Sequence, residues 1–187
     1  MRLFIKMLLA TLKSILYDRT TPVTVVASSY KTSASARPQR LSNGWLVTVA
    51  EILNGSQYDV TFSVSKDNGN TFSTLTVWKV TGNGGFSCCS FGTMIYAVKA
   101  PGDVMVSFLK FDALSVDLIS VTTSYLDSGQ SNTNGSSIAV NPSNGHLTAA
   151  WSSKNATYPN SFNIRSAKSI DGGLTWTKQD GTAGIDQ

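Results

Sequence analysis

The 187-residue sequence is short of charge, histidine, cysteine and long apolar runs. Only 14% of its residues are Asp, Glu, Lys or Arg, while 41% are hydrophobic. That ratio is too apolar for a disordered chain, and the length is enough for one domain with a real core. One histidine, His146, follows an Asn-Gly pair, with no second histidine or cysteine cluster to share a metal. No cofactor motif is present. The two cysteines, Cys88 and Cys89, are adjacent. Adjacent residues of a strand point to opposite faces, so this pair reads as two small strand residues and not as a disulfide. No apolar stretch is long enough for a membrane-spanning helix.

The net charge of +4 is unevenly spread. Arg2, Lys6, Lys13, Arg19, Lys31, Arg37 and Arg40 fall in the first forty residues, against one acid, Asp18. The body carries no basic stripe with interleaved aromatics, so nucleic acid is not an expected partner. Residues 1–16 place Arg2, Lys6 and Lys13 on one face of a helix, with Leu3, Phe4, Met7, Leu8, Leu12, Ile15 and Leu16 around the rest. This N-terminal amphipathic arm, residues 1–22, has three readings: packing on the protein or a partner subunit, lying on a membrane surface, or serving as a signal peptide.

From residue 23 onward, short alternating runs rich in Val, Thr, Ser and aromatics are separated by Gly, Asn, Ser and Pro, which is an all-β pattern. Two segments repeat. Ser65-Lys66-Asp67-Asn68-Gly69-Asn70-Thr71-Phe72 and Ser169-Ile170-Asp171-Gly172-Gly173-Leu174-Thr175-Trp176 share S-x-D-x-G-x-T-aromatic. Each follows an Asn-Gly pair between apolar runs, Asn43-Gly44 and Asn144-Gly145, which signals a hairpin with both central residues at positive φ. Each unit therefore reads as strand, hairpin, strand, loop, strand, Asp turn, strand. A middle unit is expected with its hairpin at Pro101-Gly102-Asp103 and a worn Asp turn at Asp127-Ser128-Gly129. The units span about 35–85, 86–135 and 136–187, giving a partial β-propeller of about three four-stranded antiparallel blades. Within each turn, Asp67 and Asp171 accept backbone N–H groups, Gly69 and Gly173 supply backbone freedom, Thr71 and Thr175 help pair across the strand, and Phe72 and Trp176 bury a large face between blades. Ser65 and Ser169 open them. All ten are turn-forming in this reading, not catalytic.

These motifs resemble the Asp-box, or bacterial neuraminidase repeat, superfamily of sialidases, over roughly residues 35–180 and covering only the N-terminal half of such a propeller. The resemblance implies a six-bladed propeller with the boxes on its periphery. It also implies a carboxylate-binding arginine on the first blade, which falls on Arg37, ahead of Pro38 and the Leu41–Glu51 segment. The acid/base aspartate implied by the family falls near Ser56, where Asp59 is the nearest acid. The later nucleophile and triad arginines have no counterpart here, and Arg165 is not taken as one. A complete hydrolytic set needs two groups flanking one sugar, so the chain on its own lacks it.

The expected function is a glycan-directed module, with a sialylated ligand and an exo-sialidase reaction implied by the resemblance. The alternative is a non-catalytic structural, assembly or surface-attachment protein. Trp45, Trp78, Trp151 and Tyr158 are the aromatics available to stack on sugars. Further blades or a homo-oligomer would close the ring, and an extracellular, secreted or virion-surface setting is favoured.

Overall fold

The computed structural model describes residues 30–31, 38–54, 57–80, 85–100, 106–114, 122–127 and 132–186. The N-terminal arm and Arg37 lie outside the described residues. All described regular elements are strands: β1 (Tyr30–Lys31), β2 (Gln39–Arg40), β3 (Leu46–Asn54), β4 (Gln57–Ser65), β5 (Ser73–Val80), β6 (Gly85–Phe91), β7 (Met94–Ala100), β8 (Val106–Asp112), β9 (Thr122–Asp127), β10 (Asn132–Val140), β11 (Leu147–Lys154) and β12 (Asn163–Ser169).

They form three antiparallel sheets met in chain order. In the first, β3, β4 and β5 pair in succession, while β1 and β2 both pair with the free edge of β3 as two short pieces. The second runs β6-β7-β8-β9 and the third β10-β11-β12. A fourth strand of the third sheet is reduced to single bridges that Thr177 and Asp186 make to β12. Those bridges still cover the outer edge of β12, which would otherwise offer unpaired N–H and C=O groups. The result is an unclosed, propeller-like arc.

Alternation explains how the sheets stack. Val47, Val49, Val60, Phe62 and Val64 turn one face of the first sheet onto Cys88, Ile95, Ala97, Leu109 and Phe111 of the second. Phe62 stacks on Phe111 with ring centroids 5.1 Å apart. The opposite face of the second sheet, through Tyr96, Val98 and Phe108, meets Ile138, Leu147, Ala149, Trp151 and Ala167 of the third. Cys88 and Cys89 fall on these opposite faces. Burial holds both thiols up at about 12, so neither is a ready thiolate.

Each interface also contains charge. Lys99 and Glu51 form an ion pair between the first two sheets, with Lys99 fully enclosed. Asp127 bridges the second interface, with Arg165 Nε at 3.1 Å and the Trp151 indole donating at 3.0 Å.

Three local expectations are corrected. The hairpin of the middle sheet lies at Gly92-Thr93 between β6 and β7, and Pro101–Asp103, where it was expected, lies outside the described residues. Asp127 ends the outer strand β9, and residues 128–131, where its turn was expected, lie outside the described residues. The equivalent turn follows β8, where Asp112 accepts from Leu114 N at 3.0 Å and Thr93 Oγ1 at 3.3 Å. Gly-Asp and Gly-Thr both punctuate strands, so turn residues alone left the register one strand out. The Asn-Gly hairpins also differ. Gly44 and Gly145 have φ of 85° and 74°, but Asn43 and Asn144 do not share the left-handed region. Their side chains instead accept from Trp45 N and His146 N. That local bond stabilises a longer turn in which one positive φ is sufficient.

Candidate functional site

The two S-x-D-x-G-x-T segments form nearly identical hydrogen-bonded turns. Ser65 Oγ donates to Asp67 Oδ1 at 2.7 Å and accepts Gly69 N at 2.6 Å. Asp67 Oδ1 accepts Asn70 N and Thr71 N, and Asp67 Oδ2 accepts Thr71 Oγ1. Ser169, Asp171, Gly173, Leu174 and Thr175 repeat every one of these bonds. The residue after each Asp, Asn68 or Gly172, adopts positive φ, which explains why only Asn and Gly stand there. Trp176 stands edge-on to Phe108 of the second sheet at 5.1 Å, while Phe72 is half-buried.

Donors from Thr71, Ser65 and Asn70 hold the Asp67 carboxyl far below the usual range. The Thr175 hydroxyl and N–H, then Ser169 and Leu174, hold Asp171 at about 2. Both folded values lie below the unfolded value of 3.8, so the stabilisation is complete above about pH 4 and falls as each group protonates. The turns should therefore keep their order in a pH 4 titration followed by amide NMR. Asp171 should protonate near pH 2, with Asp67 lower still. Loss of both turns above pH 4 would contradict this wiring.

The remaining sequence candidates are scattered. Asp59 occupies a ladder position of β4 between Ile52 and Lys79. Arg165 lies on the buried face, committed to Asp127. Trp151 is buried beside it, and Trp45 is half-buried under the Lys66 ammonium, 4.5 Å from its ring centroid. The Trp78 side chain is outside the described residues. Of the four aromatics, Tyr158 is left as an exposed ring among the described residues, at 46% accessibility.

Tyr158 belongs to the loop from β11 to β12. Asn155 Oδ1 ties that loop by accepting Thr157 N at 3.0 Å and Tyr158 N at 2.9 Å. Phe162 closes it, 44% exposed, with the Lys154 ammonium 5.0 Å from its ring centroid. Below them, the face of the third sheet turned away from the second sheet holds an open cleft of about 290 Å³. Gly135, Ser136, Ser137, Ala150, Ser152 and Ile164 line it, with Trp151 at its base. Ser152 donates to Asn134 O, which fixes the cleft's inner corner. Lys154 lies two residues beyond Ser152 on the same face of β11, so ammonium and aromatic ring stand beside the cleft, next to its lining residues. Sequence reasoning missed Phe162 and Lys154. The available signal was the Phe162, Ile164, Ser166 alternation, which sets one side of β12 apart from buried Arg165 and Ala167.

No family model matches the chain, and no curated protein is similar to it. Solved structures do match. An α-L-arabinanase of Penicillium chrysogenum, in complex with arabinobiose, is 15% identical with a TM-score of 0.52, covering 83% of this chain and 52% of that one. The GH93 α-L-arabinofuranosidase of Fusarium graminearum, also with arabinobiose, is 13% identical with a TM-score of 0.50, covering 88% and 51% respectively. The chain thus spans about half the length of these structures. At these identities the likeness concerns the fold, which is that of distant carbohydrate-active enzymes.

These matches correct the family assignment made from the motifs. The resemblance to sialidases and their Asp-box repeats is not sustained, because no such family matches and the similar folds are arabinan-acting enzymes. The physical reason is visible in the turns themselves. Eight residues can specify one hydrogen-bonded corner between two strands, yet say nothing about a pocket elsewhere.

Proposed function

We propose that this chain is a carbohydrate-recognition module whose ligand lies in the cleft on the outward face of the third sheet. The observation that carries the reading is the cleft's construction, with Ser137 and Ser152 on the floor, Ile164 on one wall and the exposed rings of Phe162 and Tyr158 on the adjoining loop. Hydroxyls serve as both donor and acceptor to a sugar's own hydroxyls, while apolar and aromatic surfaces cover its C–H face. The similarity of fold to two carbohydrate-active enzymes supports the same class of ligand, encountered outside the cell.

The proposed action is binding and not hydrolysis. Between Asp127 and Asp171 the sequence contains no Asp or Glu, so the segment building the cleft supplies no carboxylate pair for a glycosidic bond. In a glycan array, the protein should retain oligosaccharides without shortening them. Phe162→Ala should reduce retention about tenfold or more by removing the stacking face. Unchanged retention by that variant would overturn the placement of the site.

A second reading rests on a separate observation. Ile164 and Ile170 are 69% and 64% exposed on that same face, where another sheet could pack. A second copy or further blades seated there would make the chain an assembly protein. Light scattering decides between them, since a monomer that binds glycan supports the first reading and a constitutive dimer blind to glycan supports the second.

A further inference from the structure

We propose that the ligand of this cleft is an acidic saccharide, its carboxylate or sulfate held by Lys154 and its ring lying against Phe162. This rests on the carbohydrate reading above and adds the chemical class of the ligand.

The charge distribution around the cleft carries it. Residues 128–170 contain Lys154, Arg165 and Lys168 but no acid, and Asp186, bridged to β12 at Ser166, has its carboxylate engaged by Gln179 N. The other cations are engaged. Arg165 faces the second sheet and meets Asp127 at 3.1 Å, and Lys168 donates to Gln179 O at 3.2 Å. Lys154 stands beside the cleft, half-exposed, over the Phe162 ring. A lysine over an aromatic face still has N–H donors on its side away from the ring, and a neighbouring acid would have neutralised it. An ammonium beside serine hydroxyls and an exposed ring matches a sugar that carries one negative charge and several hydroxyls. The charge-assisted bond to such a group is stronger than a neutral one, and it discriminates between charged and uncharged forms of the same backbone.

The test compares three probes by calorimetric titration of the full chain. These are an oligogalacturonate, the same oligosaccharide fully methyl-esterified, and a sulfated oligosaccharide. The free acid should bind about tenfold more tightly than its ester, and added salt should shrink that advantage. Lys154→Gln should abolish the difference between acid and ester, and Lys154→Arg should restore it. Preference for the sulfated probe with the same dependence on Lys154 supports the anionic class and identifies a sulfate as its source. Equal binding of acid and ester, or an unaltered preference in Lys154→Gln, overturns the acidic ligand while leaving carbohydrate recognition standing. Failure to bind any of the three overturns both. Lys154 is a surface residue, and an unchanged melting temperature separates lost binding from lost folding.

Discussion

Lys99→Met should lower the unfolding free energy by about 3–5 kcal/mol, the largest single effect expected here. Lys99 is fully enclosed and Glu51 is 5% exposed, and they join β7 to β3 across the interface of the first two sheets. Removing one partner leaves the other charge in a medium that cannot solvate it. For a chain of this size the loss corresponds to a melting temperature lower by roughly 6–20 °C. The double variant Lys99→Met/Glu51→Leu should recover most of that loss, because a matched apolar pair removes both charges at once. A thermal melt of the three proteins checks this. A fall of under about 1 kcal/mol for the single variant would mean that water reaches the pair.

Gly173→Ala should cost about 2–5 kcal/mol, and the loss has two separable parts. The residue sits at φ 90°, where a Cβ carries a penalty of about 1–2 kcal/mol. A Cβ there would also approach two Phe108 ring atoms to 2.3 Å. Phe108 is buried between Tyr96 and Trp176 and has little room to retreat, adding about 1–3 kcal/mol. Gly181 separates the parts, since it also has φ 90° but nothing within 4 Å of its Cβ position. Gly181→Ala should therefore lose only the conformational part. Equal losses in both variants would mean that Phe108 yields and that the turn is not packed against the second sheet. This contact gives the glycine of the S-x-D-x-G turn a second duty. It frees the backbone and lets one sheet close onto the next.

Much of the fold was legible because its signals are local. Alternation marked β3, β4, β11 and β12, Asn43-Gly44 and Asn144-Gly145 marked two hairpins, and the repeated motif marked two corners. The middle sheet was read one strand out of register because its corner uses Asp112 and Thr93, which are far apart in sequence and leave no motif. The buried pairs were also hidden. Asp127 was assigned to a turn, whereas it answers to Trp151 and Arg165 on another sheet, a contact only the stacking creates. Arg37 and the amphipathic arm lie outside the described residues.

The candidate site was less legible than the fold for a related reason. The motifs that stand out in the sequence are those that need unusual backbone, and here they build corners. The cleft is made from ordinary residues such as Ser136, Ser152 and Ile164, which gain meaning only through cross-strand register.

The most direct test of the account is an amide NMR titration of the isotope-labelled chain with an acidic oligosaccharide. The account predicts that the largest shifts fall together on Ser136, Ser152, Lys154, Tyr158, Phe162 and Ile164. Shifts centred on another surface, or none at millimolar saccharide, would contradict it.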